Sequence, residues 1–284
     1  MKTLSVTLLL WVSIIGYSQP ATLRSEIIGS GAPVIVLKGY TAIDSAWVNL
    51  AEKLGNRYQF HLISLPGFDG TTAADSGMLP PFKEQLIQYI VTHHLFRPVI
   101  IGQDAGAMLA LWVAGSHPYL FSSILVADNF PVSSGNNGYT LTREGLQNPS
   151  FEIAHTLASN IGSAETQKAD AIRRIASAHL ASPQQAQAIT ERLAAGNPEN
   201  LRQLYLETLK LGVAKKFQEL DLPVLVLASA PSQDKVYRRQ LEIQYQSLPK
   251  KSVVIAPAGR FAVNGDPIWF SEQVKNFLTN GIEN

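Results

Sequence analysis

Cysteine is absent from this chain of 284 residues. That excludes disulfides, thiol chemistry and a lipid attached through cysteine. Charge is sparse as well: Asp, Glu, Lys and Arg make up 16% of residues, against about 25% in a typical domain. The charges that exist nearly cancel, with 23 basic against 22 acidic side chains. No sequence-wide pull toward nucleic acid or an acidic membrane follows from such a balance. Internal repeats, low-complexity segments and metal-ligand clusters are missing. Gly67-x-x-Gly70 lacks the lysine and following helix that a phosphate cradle needs. No metal, cofactor or nucleic-acid partner is expected, and no protein partner is specified.

A long apolar run is also lacking. Leu4 to Ile15 is apolar but shorter than the roughly 20 residues of a spanning helix. Lys2 precedes it and the small-x-small pattern Gly16-Tyr17-Ser18 follows, which together read as a secretory signal. Residues 1–18 are therefore expected to be removed, leaving Gln19 first, the protein exported to the periplasm or beyond, and no stable membrane insertion. An uncleaved anchor is the alternative. Removing Lys2 leaves 22 basic against 22 acidic residues.

What is present, at 46% hydrophobic residues, is ample for a core arranged as alternating strands and helices. Pro33 to Leu37, Tyr58 to Ser64, Pro98 to Ile101, Ser122 to Ala127, Pro223 to Ala228 and Ser252 to Ile255 read as buried strands. Asp44 or Ser45 caps a helix whose stripe is Trp47, Leu50, Ala51 and Leu54. Pro80 to His94 and Tyr237 to Leu248 are further helices, and a last one starts at Asp266-Pro267. From Pro131 to Lys216 the strand signal stops. There Ser182-Pro183-Gln184-Gln185 is a capping box, and Asn197-Pro198 opens another helix. The expected division is a core of residues 19–130 and 217–284 with a helical cap over 131–216.

The most informative segment is Val99 to Ala107, where an apolar strand enters Gly102-Gln103-Asp104-Ala105-Gly106 and an apolar helix follows at once. That is the context of a nucleophile elbow, whose flanking glycines let one side chain sit exposed on a strained turn. Here the apex is Asp104 rather than a serine.

Taken with Leu37-Lys38-Gly39-Tyr40, Leu65-Pro66-Gly67-Phe68, Ala127-Asp128-Asn129-Phe130-Pro131 and Ala258-Gly259-Arg260-Phe261, the chain resembles the α/β-hydrolase superfamily. It looks most like exported bacterial esterase-like members. The resemblance implies a mostly parallel twisted sheet flanked by helices, with the cap inserted after the sixth strand. It also implies triad positions at Asp104, Arg260 and Asp128, in place of the usual serine, histidine and acid. An acid after the seventh strand would fall near Ser232, with Asp234 displaced. Backbone N–H groups of Tyr40 and Ala105 would form the oxyanion site, and Lys38 stands where a histidine often precedes the glycine.

These residues set the chemistry. An aspartate can attack a carbon bearing a halide or an epoxide oxygen without a base, but the resulting ester needs an activated water to clear it. Arg260 stays protonated below about pH 12 and offers donors only. Two readings follow. One is a degenerate hydrolase, with Asp104, Arg260 and Asp128 joined as a charge cluster and a small apolar or anionic ligand bound nearby. The other is a working hydrolase acting on an ester, epoxide or haloalkane, with His155 or His179 of the cap as substitute base. Lys38 either joins Arg260 in an anion pocket or sends its amine to solvent. His61, His93, His94 and His117 are expected at the surface or at helix ends. Tyr40, Phe68, Phe130 and Phe261 are expected around a pocket mouth, and Trp47 and Trp112 in the core.

Overall fold

The computed structural model describes residues 23–68, 77–128, 133–135, 138–140, 153, 155–156, 165–179, 182–211, 219–228, 235–256 and 262–281. The signal segment, Ser232, Asp234, Phe130, Phe261 and Arg260 lie outside them.

Continuous apolar runs become strands buried on both faces. They are β2 (Ala32–Lys38), β3 (Tyr58–Ser64), β4 (Val99–Gln103), β5 (Ile124–Ala127), β8 (Val224–Ala228) and β9 (Lys251–Ile255). All pair in parallel, and β1 (Ser25–Gly29) adds an antiparallel edge on β3, giving the order β1-β3-β2-β4-β5-β8-β9. This is the expected α/β-hydrolase architecture. Strand β1 carries no sequence signal of its own, because this five-residue edge strand has no continuous apolar run.

Helices cover both faces. One layer sets α1 (Asp44–Leu54) and the C-terminal helix (Pro267–Asn280) against Val34, Val36, Phe60 and Leu62. The other layer holds α2 (Leu79–Thr92) and α3 (Ala105–Ser116) against Ile35, Leu37 and Ile63. Helix α3 is apolar on nearly every side and buried throughout its first half, because it lies between the sheet and the helices that follow β5. Those are α4 (Glu165–His179), α5 (Pro183–Ala195) and α6 (Pro198–Leu209). The capping box forms as read, with Ser182 and Gln185 bonded reciprocally.

Three expectations are corrected. The segment after β5 is not free of strands: β6 (Ser133–Gly135) and β7 (Gly138–Thr140) form an antiparallel hairpin, whose Ser and Gly residues carry no apolar alternation. Asp44 is the first residue of α1 rather than its cap, since Ile43 holds that position without a side-chain bond. Trp47 is core, but Trp112 is only half-buried, with the Lys83 ammonium 4.7 Å from its ring centre.

Chain order reverses between β2 and β4, from which the sheet grows in opposite directions. The C-terminal ends of strands at such a reversal are the usual ligand position in a sheet of this kind. Here they carry Gly39-Tyr40-Thr41 and Asp104.

Candidate active site

Asp104 joins β4 to α3 with φ 51° and ψ −119°, a conformation that a residue with a Cβ seldom adopts. Close backbone packing holds the turn in place. A Cβ on Gly102 would strike the carbonyl of Gly106, and one on Gly106 would strike the carbonyl of Leu37 on β2. The elbow glycines thus let strand and helix cross at backbone contact. Gly39 is as tightly placed, since a Cβ there would meet Asp104 Cβ at 2.5 Å and Oδ2 at 2.7 Å.

The carboxylate of Asp104 folds onto the loop after β2. Its Oδ2 accepts the backbone N–H of Thr41 at 2.8 Å and the Thr41 hydroxyl at 2.6 Å. That hydroxyl in turn accepts Gln103 Nε2 at 3.2 Å, and Gln103 Oε1 accepts the indole N–H of Trp47 at 2.9 Å. The Thr41 carbonyl accepts Asn264 Nδ2 at 2.6 Å. Thr41, Gln103, Asp104 and Asn264 are all fully buried. The loop therefore meets the elbow carboxylate through Thr41, the residue after Tyr40. Ala105 is the first residue of α3.

Asp128, at the end of β5 with φ 52°, binds elsewhere. Its Oδ1 and Oδ2 accept the N–H groups of Ala262 at 2.6 Å and Val263 at 3.2 Å. These open a short helix, Ala262–Gly265, two residues beyond Arg260. Each carboxylate thus grips the backbone of a neighbouring loop, and Asn264 ties the two loops together.

The helices above close over this network. Arg192 on α5 donates to the Gly39 carbonyl at 2.6 Å, and its guanidinium lies 4.3 Å from the Phe68 ring centre. The Tyr40 hydroxyl donates to the Leu201 carbonyl on α6 at 2.9 Å. Burial pushes the Tyr40 phenol well above its ordinary value, reinforced by Tyr205 and by the negative charge of Asp104. Tyr40 and Phe68 pack edge to face at 5.5 Å and are fully buried, so they fill a sealed junction rather than line a pocket mouth. Farther along α6, Glu207 accepts the N–H groups of Met78 at 3.1 Å and Leu79 at 3.0 Å. It supplies the cap that the N-terminus of α2 lacks on its own.

The Lys38 amine pairs with Asp44 at 2.7 Å in a depression lined also by Arg24, Glu26 and Ser64, which corrects the reading that sends it freely to solvent; the reading that sets it beside Arg260 falls outside the described residues. Strand alternation explains this: Lys38 falls on the α1 side of β2, with Val34 and Val36.

His155 is exposed, with Nδ1 3.4 Å from the Tyr205 hydroxyl, and burial raises that phenol to about 12. The contact described for His155 is thus made within the cap. His179 ends α4. His61 is corrected from surface to core: it is 1% exposed, in the middle of β3. Its ring lies 2.7 Å from the Tyr89 hydroxyl and 3.1 Å from Gln59 Oε1. The neutral tautomer with hydrogen on Nε2 satisfies both partners. Burial first, and His93 second, lower its pKa to about 4. The folded state therefore takes up this proton later than the unfolded chain, which titrates near 6.5. Stability from His61 is complete above about pH 6.5 and is lost as pH falls toward 4, by at most about 3 kcal/mol. Thermal melts of the protein and of His61→Gln between pH 7 and 4 should converge as pH drops; parallel curves would refute the assignment.

Thr41, Arg192 and Asn264 were not legible as site residues. Thr41 adjoins the Gly39-Tyr40 motif, which was the one available signal. Arg192 and Asn264 reach the elbow only through the tertiary fold.

Over residues 31–272 the chain matches the profile of the alpha/beta hydrolase family. It is similar to the pimeloyl-[acyl-carrier protein] methyl ester esterases of Chromobacterium violaceum (27% identity over 107 residues, 37% of this chain and 40% of that protein) and Aeromonas hydrophila (28% over 109 residues, 37% and 41%). The chain thus spans about two fifths of the length of these curated relatives. Among solved structures it is similar to a malate-bound thermophilic esterase from Thermogutta terrifontis, with TM-score 0.70, 15% identity and coverage of 91% of this chain and 93% of that one. At that identity the likeness is one of fold.

Proposed function

The chain belongs to the alpha/beta hydrolase family, and from that premise we propose that its elbow no longer turns over esters and that its carboxylates act as staples between loops. Any ligand, small and apolar or anionic, would be bound without being cleaved. The observation that carries this reading is the grip of Asp104 Oδ2 on the N–H and hydroxyl of Thr41. In a working elbow the loop after β2 supplies donors to the substrate's developing oxyanion. Here a donor of that loop is already bonded to the apex side chain. A carboxylate accepting two hydrogen bonds is also a weaker nucleophile than a solvated one, because attack must first break those bonds.

The chemistry at the triad position that the family resemblance gives to Arg260 supports the same reading. A carboxylate that did attack would form an ester on Asp104, and its hydrolysis requires a group that takes a proton near neutral pH. Arginine at position 260 cannot do so.

The test is incubation of the purified protein with methyl esters of dicarboxylic acids, simple epoxides and haloalkanes, following product and intact mass together. The expected result is product at the background rate and an unchanged protein mass. Sustained product formation that disappears in Asp104→Asn would overturn the proposal and install Asp104 as nucleophile. A single stable adduct on Asp104 would show attack without release.

A further inference from the structure

The sheet ends on one side at β1, which pairs with β3 alone. The phase of that ladder is set by the Ser64 N–H, which donates to the Arg24 carbonyl at 3.0 Å. In an antiparallel pair, hydrogen-bonded and non-bonded positions alternate. Glu26 and Ile28 therefore turn their backbone groups inward, opposite Leu62 and Phe60. Ser25 and Ile27 turn theirs outward, where no strand lies among the described residues. Open edges are commonly guarded by lysine, proline or a bulge. Strand β1 reads Ser-Glu-Ile-Ile-Gly and runs in unbroken register with β3, so it has none of these guards. Ile27 is 47% exposed, on the same face as His61 opposite it and Tyr89 of α2.

The one charge on the strand, Glu26, decides which partner fits. A second β1 laid antiparallel can use the outward groups of Ser25 and Ile27 in two registers. Centred on Glu26, the two carboxylates face each other at a non-bonded pair, where Cα atoms approach to about 4.5 Å. Like charges directly opposite are destabilising. Centred on Ile27, the two isoleucines meet on the α2 face, Ser25 lies opposite Gly29, and Glu26 lies opposite Ile28. No like charges then meet, and the exposed apolar side chain is covered by its own copy. The edge is thus self-complementary in a single register.

We propose that β1 is the docking edge for a second copy of this chain. The two protomers pair antiparallel across a two-fold axis at Ile27, and the seven-stranded sheet of one protomer continues into that of its partner. Each copy uses its β1 once, so the assembly closes as a dimer. The elbow lies at the middle of each sheet, on β4, so the pairing does not depend on what Asp104 does.

Sedimentation equilibrium of the purified protein tests this. Five residues a side make a small interface, so the dimer should be weak and form between about 10 and 500 µM. Ile27→Lys and Ile27→Pro should each raise the dissociation constant about tenfold or more. The first sets two ammonium groups at the axis, and the second removes an N–H that β3 does not use. Unchanged melting of the dilute variants checks that both fold. The chain has no cysteine, so single thiols report position directly. Cα atoms of a hydrogen-bonded antiparallel pair lie about 5.5 Å apart, within the ~4.4–6.8 Å that a disulfide spans. Ile268, 75% exposed on the C-terminal helix, gives the background of random encounters. Under mild oxidation Ile27→Cys should cross-link at least about tenfold faster than Ile268→Cys. A monomer at every concentration, an undiminished dimer in folded Ile27→Lys and Ile27→Pro, or equal cross-linking of the two thiol variants would each overturn the proposal.

Discussion

Asp104→Ala is expected to lower the melting temperature by roughly 4–16 °C, from a loss of about 2–4 kcal/mol at about 2–4 °C per kcal/mol for a chain of this size. The reasoning starts from Thr41. Its N–H and hydroxyl are fully buried and both donate to Asp104 Oδ2. Removing the acceptor strands both buried donors. Each buried donor so stranded costs about 1–3 kcal/mol, and the release of a buried charge returns part of the sum. Asp104→Asn keeps an acceptor oxygen in place and should recover more than half of the loss. A nucleophile behaves differently, because its replacement removes activity and leaves stability little changed or improved. Differential scanning calorimetry of the two variants therefore separates staple from nucleophile without knowledge of a substrate. An unchanged melting temperature in Asp104→Ala would rule out the staple.

Gly106→Ala is expected to be damaging as well, at about 3 kcal/mol or more, and to reduce the yield of folded protein. A methyl at this position is driven into the carbonyl of Leu37. Both partners are backbone atoms, one in the first turn of α3 and the other in the centre of the sheet. Relief requires moving α3 off β2, and with it the apex between them. Alanine elsewhere in α3 would favour the helix by propensity, so the sign of the effect is set by the contact alone. Chemical denaturation of Gly106→Ala beside Gly281→Ala checks this. At Gly281 no atom lies within 4 Å of the added methyl, and the cost there comes only from its φ of 76°. Equal losses in the two variants would show that the close crossing of α3 and β2 contributes little.

The amino-acid order by itself determined the alternation of strands and helices, because a strand buried on both faces must be apolar throughout and a helix must carry a stripe. It determined the elbow too, because only glycine at 102 and 106 permits that crossing of strand and helix. Ser182, Asn197 and Asp266 were readable as caps for the same local reason: each accepts an N–H three residues on. What the order left open was every partner distant in sequence. The grip of Asp104 on Thr41 spans 63 residues, that of Asp128 on Ala262 spans 134, and that of Arg192 on Gly39 spans 153. Lys38 was misplaced because its side is set by where α1 packs, and His61 because one polar residue in an apolar strand carries no mark of the tyrosine that satisfies it. A hydrogen bond is fixed by angstrom-scale position, and position at that scale exists only once the sheet has assembled and the helices have settled on it.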